Sequence, residues 1–236
     1  MIFRKAFADS LPVLMGYSAM GFAAGLLLSV EGSIAWSPFW AGLSSAVFVS
    51  GPLQYLFADW VRSSFAIGGV LLVCACINFR YSFYGLSLME QFSKAGWWTR
   101  FYLIFGITDE TYALEVSCKL KGKAYLHYCL ILTALDHLYW IVGVTSGAIA
   151  GALATNMLTP EKASSVTNGV DFAMTALFIV ILTDQCRNCT NRIPAVIGAA
   201  VSVLAMLIFG RANMLIPSIV FIVAALLIFR RRLDAR

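Results

Sequence analysis

The stretch Ser10–Val30 reads SLPVLMGYSAMGFAAGLLLSV and contains no charged residue. A bilayer core takes about 20 helical residues to cross, so this run is long enough to span one. Gly32–Ala58 is longer and carries no charge before its end. Of the 236 residues, 60% are hydrophobic and only 12% charged, against roughly 25% charged in a typical soluble domain. The chain therefore reads as an all-α, polytopic membrane helix bundle, and 1–236 as a single integral membrane domain with no room for a soluble one. Seventeen Lys+Arg against twelve Asp+Glu leave a net charge of +5. In so apolar a chain this suits cytoplasmic loops beside anionic lipid, and no nucleic-acid binding is expected.

Arg4 and Lys5 ahead of the first run resemble the start of a signal peptide, but Asp9 and Pro12 interrupt it. The run also exceeds a usual signal core, so an uncleaved first span is expected. Further spans follow at Ser63–Met89, which carries Arg80 inside it, and at Phe101–Ser117 with Asp109 and Glu110 at its centre. Ala124–Ala154 contains Asp136 and His137, Val166–Thr183 contains Asp171, and Ile193–Gly210 and Ala212–Phe229 are uncharged but for Arg211 between them. The total is about eight crossings, unless a re-entrant pair stands in for two of them. With the N-terminus inside, the cytoplasmic segments hold Arg4, Lys5, Arg62, Lys119, Lys121, Lys123, Arg187, Arg192, Arg230, Arg231, Arg232 and Arg236. The outer loops then hold only Lys94, Arg100, Lys162 and Arg211. The excess of basic residues on one side places both termini in the cytoplasm, with Lys94–Arg100 opposite Lys119–Lys123.

The six cysteines lack the spacing of a disulfide framework and read as reduced thiols. Cys186 and Cys189 form a lone C-x-x-C, half of a zinc site at best, so neither metal nor cofactor is expected. Gly21 and Gly25, and the ladder Gly143, Gly147 and Gly151, allow helices to approach closely, whether within the bundle or against a partner. Gly51-Pro52 falls mid-span, where proline removes a donor that no water can replace. A break there frees backbone groups to meet something polar. No internal repeat is legible.

Charges at membrane depth are costly and face a cavity or one another. Arg80 is the one permanent cation there, against the acids Asp109, Glu110, Asp136 and Asp171. One cation cannot neutralise four carboxylates, so unpaired acids are candidate proton or ion carriers. Asp109 and Glu110 stand about 100° apart around a helix, so one of them faces a cavity without the other. Ser50, Gln54 and Asn78 can each donate and accept hydrogen bonds, and Arg80 can hold a carboxylate with its planar fork. Together with Gly51 and Pro52 they form a candidate site for a zwitterionic ligand.

At these residues the chain resembles the AzlC family, the large subunit of branched-chain amino acid permeases. The resemblance is carried by Ser45 to Gln54, by Asn78-Phe79-Arg80 and the residues to Leu88, and by Thr108-Asp109-Glu110-Thr111-Tyr112. Tyr139-Trp140 ahead of the glycine ladder and Val170 to Ala173 agree, and the likeness extends over about Phe7 to Phe229. It implies export of branched-chain amino acids across a bacterial inner membrane beside a small hydrophobic AzlD-type subunit. The chain departs from the family in having Gly51-Pro52-Leu53-Gln54 where glycine-serine-alanine-glutamine is common, and Tyr81 where histidine is common.

Three functions compete. A secondary transporter binds near the bilayer midplane where helices are interrupted, and the absence of a P-loop argues against ATP coupling within the chain. A membrane-embedded enzyme needs a nucleophile or metal constellation, for which His127 and His137 are too few and wrongly spaced. A structural or assembly subunit would leave the transport path to its partner.

Overall fold

The computed structural model describes residues 2–31, 38–62, 67–157 and 193–233, with the isolated positions 179, 183 and 187. Among these residues the structure is a helical membrane bundle: α1 (Ile2–Glu31), α2 (Pro38–Val47), α3 (Gly51–Arg62), α4 (Ile67–Phe92), α5 (Trp97–Phe105), α6 (Asp109–Ser117), α7 (Gly122–Met157), α8 (Ile193–Asn213) and α9 (Leu215–Leu233). Four of them contain stretches long and apolar enough to cross a bilayer: Ile2–Ser29, Ile67–Phe92, Gly122–Ala154 and Ile193–Gly210. Asp171 and the pair Cys186 and Cys189 lie outside the described residues. The chain groups into two compact units, Met1–Phe65 with Ile77–Thr175, and Ala66–Cys76 with Ala176–Arg236.

The first unit is organised by α1 and α7, which run parallel with their backbones in contact. A Cβ on Gly143 would stand 2.8 Å from the Tyr17 carbonyl oxygen, and one on Gly21 would stand 3.1 Å from the Val144 nitrogen. One on Gly25 would collide with the Val144 carbonyl, and one on Gly147 with that of Phe22. Ser29 closes the seam by donating to the Ala148 carbonyl at 2.7 Å. Both glycine faces are therefore spent on each other, which removes them as a docking surface for a partner subunit.

The apolar runs Gly32–Ala58 and Phe101–Ser117 are each two short helices that fold back, so the re-entrant alternative is the one adopted. In the first, the chain leaves helical geometry at Phe48–Ser50, and α3 restarts with Pro52 in its first turn, where a missing N–H costs nothing. Gln54 Nε2 reaches back to Ser44 Oγ at 2.9 Å, and the rings of Phe48 and Phe57 are 5.0 Å apart. A straight helix would separate Ser44 from Gln54 by about 15 Å, so the chain must fold back between them. In the second, α5 ends at Gly106 and α6 starts after Thr108, whose capping box with Thr111 satisfies two backbone N–H groups at the break. With nine residues each, α5 and α6 reach about half the depth of a bilayer core.

The second hairpin enters and leaves at the end of the unit that carries the N-terminus. Ala6 of α1, Phe92 of α4, Leu103 of α5 and Tyr125 of α7 share one buried cluster. Lys94 and Lys121 line a single cavity of about 430 Å³, and Lys94 and Lys123 line another of about 380 Å³. Lys94 and Lys119–Lys123 thus lie at the same end, not at opposite ends as the count of crossings implied; the returning hairpin consumes an apolar run without a crossing. The order of elements is helix then hairpin (α1, α2–α3), followed by helix then hairpin (α4, α5–α6). The two hairpins point at each other from opposite ends. The second helix and hairpin run in the opposite sense to the first, and no counterpart of this repeat is legible in the residue identities.

In the second unit, α8 and α9 pack together with Phe209 and Phe221 stacked at 6.5 Å. Gly210 (φ +74°) bends the path near the end of α8, a conformation an L side chain would resist.

Two outcomes follow from this architecture. Cysteines at Lys94 and Lys121 are expected to react with a membrane-impermeant reagent from the same side; labelling from opposite sides would contradict the re-entrant hairpin. Gly147→Leu places side-chain atoms against the Phe22 carbonyl and should lower stability by about 1–3 kcal/mol or more in thermal unfolding in detergent. Gly198→Ala, where nothing lies within 4 Å of the added Cβ, should not.

Candidate functional site

His137, midway along α7, ties both hairpins to the α1–α7 post. Its Nε2 is 3.1 Å from the Ala46 carbonyl oxygen at the C-terminal end of α2, one of the carbonyls a helix end leaves unpaired. Its Nδ1 is 3.2 Å from the Tyr102 hydroxyl on α5. The neutral tautomer with the proton on Nε2 satisfies both, donating to Ala46 and accepting from Tyr102. This role is not legible in the sequence, where His137 stands beside Asp136 and counts only toward an enzyme's nucleophile or metal constellation.

The first tip meets α4. Ser50 Oγ donates to Asn78 Oδ1 at 3.1 Å, and the Tyr81 hydroxyl is near enough to Ser50 to interact with it. Tyr81 also receives Arg80: Nη2 is 3.5 Å from its hydroxyl, and the guanidinium carbon is 5.2 Å from the ring centroid, within cation–π range. Tyr81, standing where histidine is common in the resembling family, thus contributes a polar group here. Gln54 is fully buried; its amide nitrogen donates to Ser44 while its Oε1 has no hydrogen-bond partner among the described residues. Gly51 and Pro52 build the restart of α3 and present no polar side chain.

The second tip divides its acids as helix geometry requires. Asp109 Oδ2 forms an ion pair with Arg80 Nη2 at 2.9 Å, and its Oδ1 accepts from the Tyr84 hydroxyl at 2.8 Å. Tyr84 is held by stacking on Tyr112 at 4.2 Å between centroids. Glu110 points the other way: its Oε2 lies 2.9 Å from the hydroxyl of buried Tyr17, which is also 2.9 Å from Thr108 Oγ1. Both acids sit in the first turn of α6, where the helix dipole favours negative charge. Asp136 on α7 is 2% exposed, and neither of its carboxylate oxygens has a hydrogen-bond partner among the described residues. It lies close enough to Glu110 and Tyr17 to interact with both electrostatically.

The structure thus brings Ser50, Asn78, Arg80 and Asp109 together through Tyr81 and Tyr84, and sets Glu110 and Asp136 on the other face of the same tip. Tyr17, Tyr81, Tyr84 and His137 complete the arrangement. Their signal in the sequence, polar aromatics within apolar runs, is shared with ordinary packing residues.

Two re-entrant hairpins meeting beside a half-buried ion pair define a polytopic membrane protein with a polar interior centred on broken helices. The profile of the AzlC protein family matches residues 12–154, and the chain belongs to that family. It is 28% identical over 98% of its length to the branched-chain amino acid transport protein AzlC of Bacillus subtilis strain 168, covering 87% of that protein. It is 30% identical to an uncharacterized membrane protein of Helicobacter pylori J99, with 98% of both chains covered. Inner membrane protein YgaZ of Escherichia coli K12 is 23% identical over 76% of this chain and 71% of its own. No solved structure matches.

Arg80 and Asp109 are each about one-third exposed or less, at 28% and 30%, so their coupling should exceed that of an open surface pair. A double-mutant cycle of Arg80→Gln and Asp109→Asn, read by thermal unfolding, is expected to give about 0.5–3 kcal/mol of interaction energy. Strict additivity would mean the pair contributes nothing.

Proposed function

We propose that the chain is a secondary transporter that exports branched-chain or similar small apolar amino acids across a bacterial inner membrane. The observation that carries this reading is the Arg80–Asp109 pair at the meeting point of two hairpin tips. A substrate carboxylate and Asp109 are rivals for one guanidinium, so substrate entry releases Asp109 and changes the charge at the tip. Freed Asp109, still hydrogen-bonded to Tyr84, is then available to an ammonium group. Ser50, Gly51, Pro52, Gln54, Asn78 and Arg80 form the substrate site in this reading. Asp109, Glu110, Asp136 and Asp171 are the groups through which a proton or ion gradient would drive export. The name of the Bacillus subtilis relative supports the substrate class, and that of the Escherichia coli relative supports the membrane.

Orientation follows from the corrected topology. Arg4, Lys5, Lys94, Arg100, Lys119, Lys121 and Lys123 gather at the end of the first unit that carries the N-terminus, against Arg62 at the end of α3. That end is cytoplasmic by the positive-inside rule, which keeps the N-terminus inside; the C-terminal arginines favour the same side. A small hydrophobic AzlD-type subunit belongs to this reading, docked on a surface other than the glycine seam. The chain is a transporter in this account and neither an enzyme nor a purely structural subunit.

Counterflow of labelled leucine into liposomes loaded with unlabelled leucine, with and without the small subunit, tests the reading. Exchange is expected, and Arg80→Lys, which keeps the charge but loses the planar fork, should raise the half-saturating concentration. Full activity of the chain by itself would remove the obligatory partner; no exchange in either preparation would overturn the function.

A further inference from the structure

We infer that Glu115, with Asp136 and Glu110, forms a proton relay linking the α6 tip to the cavity at the end of the unit that carries Lys94 and Lys121. The inference rests on the secondary-transport reading and adds to it a residue and a route.

Glu115 is 2% exposed, near the C-terminal end of α6, and is the carboxylate among the residues lining the cavity of about 430 Å³. Its Oε1 lies 3.5 Å from Thr133 Oγ1 of α7, while its Oε2 has no hydrogen-bond partner among the described residues. Asp136 follows Thr133 by one turn on the same face of α7, about 4.5 Å further along the axis. Both of its oxygens also lack a hydrogen-bond partner among the described residues, and it interacts electrostatically with Glu115 below it and Glu110 above it. Glu110 in turn contacts Tyr17 at the tip. Three carboxyls on two antiparallel helices therefore descend from the broken-helix site to the cavity.

A buried carboxylate with no cation and unfilled acceptor positions is poorly accommodated unless it carries a proton. The groups around Asp136 are Tyr17 from α1, Glu110 and Glu115 from α6, and His137 beside it, which is occupied by Ala46 and Tyr102. Around Glu115 stand Thr133, Cys129 and Tyr125 from α7 and Cys118 after α6. Lys94 and Lys121 line the cavity with it, but neither forms an ion pair with Glu115 among the described residues. Among the described residues no cation is paired with Asp136 or Glu115. Each transfer moves one proton from a carboxylic acid to a neighbouring carboxylate, and each acid returns to its starting state when the next proton arrives, so charge balances over the cycle. Thr133 adjoins Glu115 and the Tyr17 hydroxyl adjoins Glu110, one at each end of the row, with Asp136 between them.

The test combines leucine transport in proteoliposomes with labelling by dicyclohexylcarbodiimide, which modifies protonated carboxyls in apolar surroundings. In the wild type, Glu115 should be modified and protected progressively at higher pH, as mapped by mass spectrometry. Glu115→Gln is expected to retain counterflow but lose gradient-driven accumulation, and Glu115→Asp to recover it at least in part. Gradient-driven accumulation with wild-type pH dependence in Glu115→Gln would overturn the relay. So would joint loss of counterflow and accumulation in Glu115→Gln, which marks a structural residue. If the wild type shows no counterflow, the transport reading fails, and the relay then stands or falls on the pH dependence of Glu115 labelling.

Discussion

The backbone seam between α1 and α7 is the constraint on which the rest of the first unit depends. Lipid offers no hydrophobic incentive for two apolar helices to associate, so contact must come from close packing, and glycine permits it by removing the Cβ. The consequence is geometric as well as energetic. Drawing the two helices together sets Tyr17 edge-on to Trp140 at 5.6 Å and brings it within electrostatic reach of Asp136. The same contact turns His137 outward to receive the two hairpins. A larger residue in the seam would separate the helices and move every polar group of the interior with them.

Breaking a helix inside the bilayer frees backbone groups that must be satisfied by the protein, because lipid cannot do so. The two breaks solve this differently. At Thr108 the solution is local: a capping box with Thr111 pairs the donors within four residues. At Ala46 it is distant, supplied by His137 ninety-one positions along the chain. The first break therefore depends on the assembled unit, whereas the second carries its own cap. The Tyr55 hydroxyl, donating to the Met20 carbonyl at 2.8 Å, adds a further tie between the first hairpin and α1.

The adjacent acids of the second tip show how one turn of helix can separate two tasks. Asp109 is neutralised by Arg80 and Tyr84, in a half-buried setting open to competition. Glu110 and Asp136, by contrast, share an interior with Tyr17 and no cation among the described residues. A charge change on one side of α6 is felt on the other through a short, low-dielectric path, where electrostatic effects are weakly screened.

The sequence by itself determined the medium, the helical class and the polar inventory. Composition and run length require a bilayer, and the cost of charge in lipid marks Arg80, Asp109, Glu110 and Asp136 as residues that face one another or a cavity. Periodicity also predicts that Asp109 and Glu110 diverge, and Gly51-Pro52 that the second run breaks. Only the tertiary structure decided whether each broken run crosses or returns, since an apolar stretch of a given length has the same composition in either case. That choice moved Lys94 to the side of Lys121. It also decided which cation meets which acid, and that Glu115, which nothing in the sequence singled out, is buried beside Thr133. Burial of a helix end is set by what packs over it, and pattern within one helix carries no record of its neighbours.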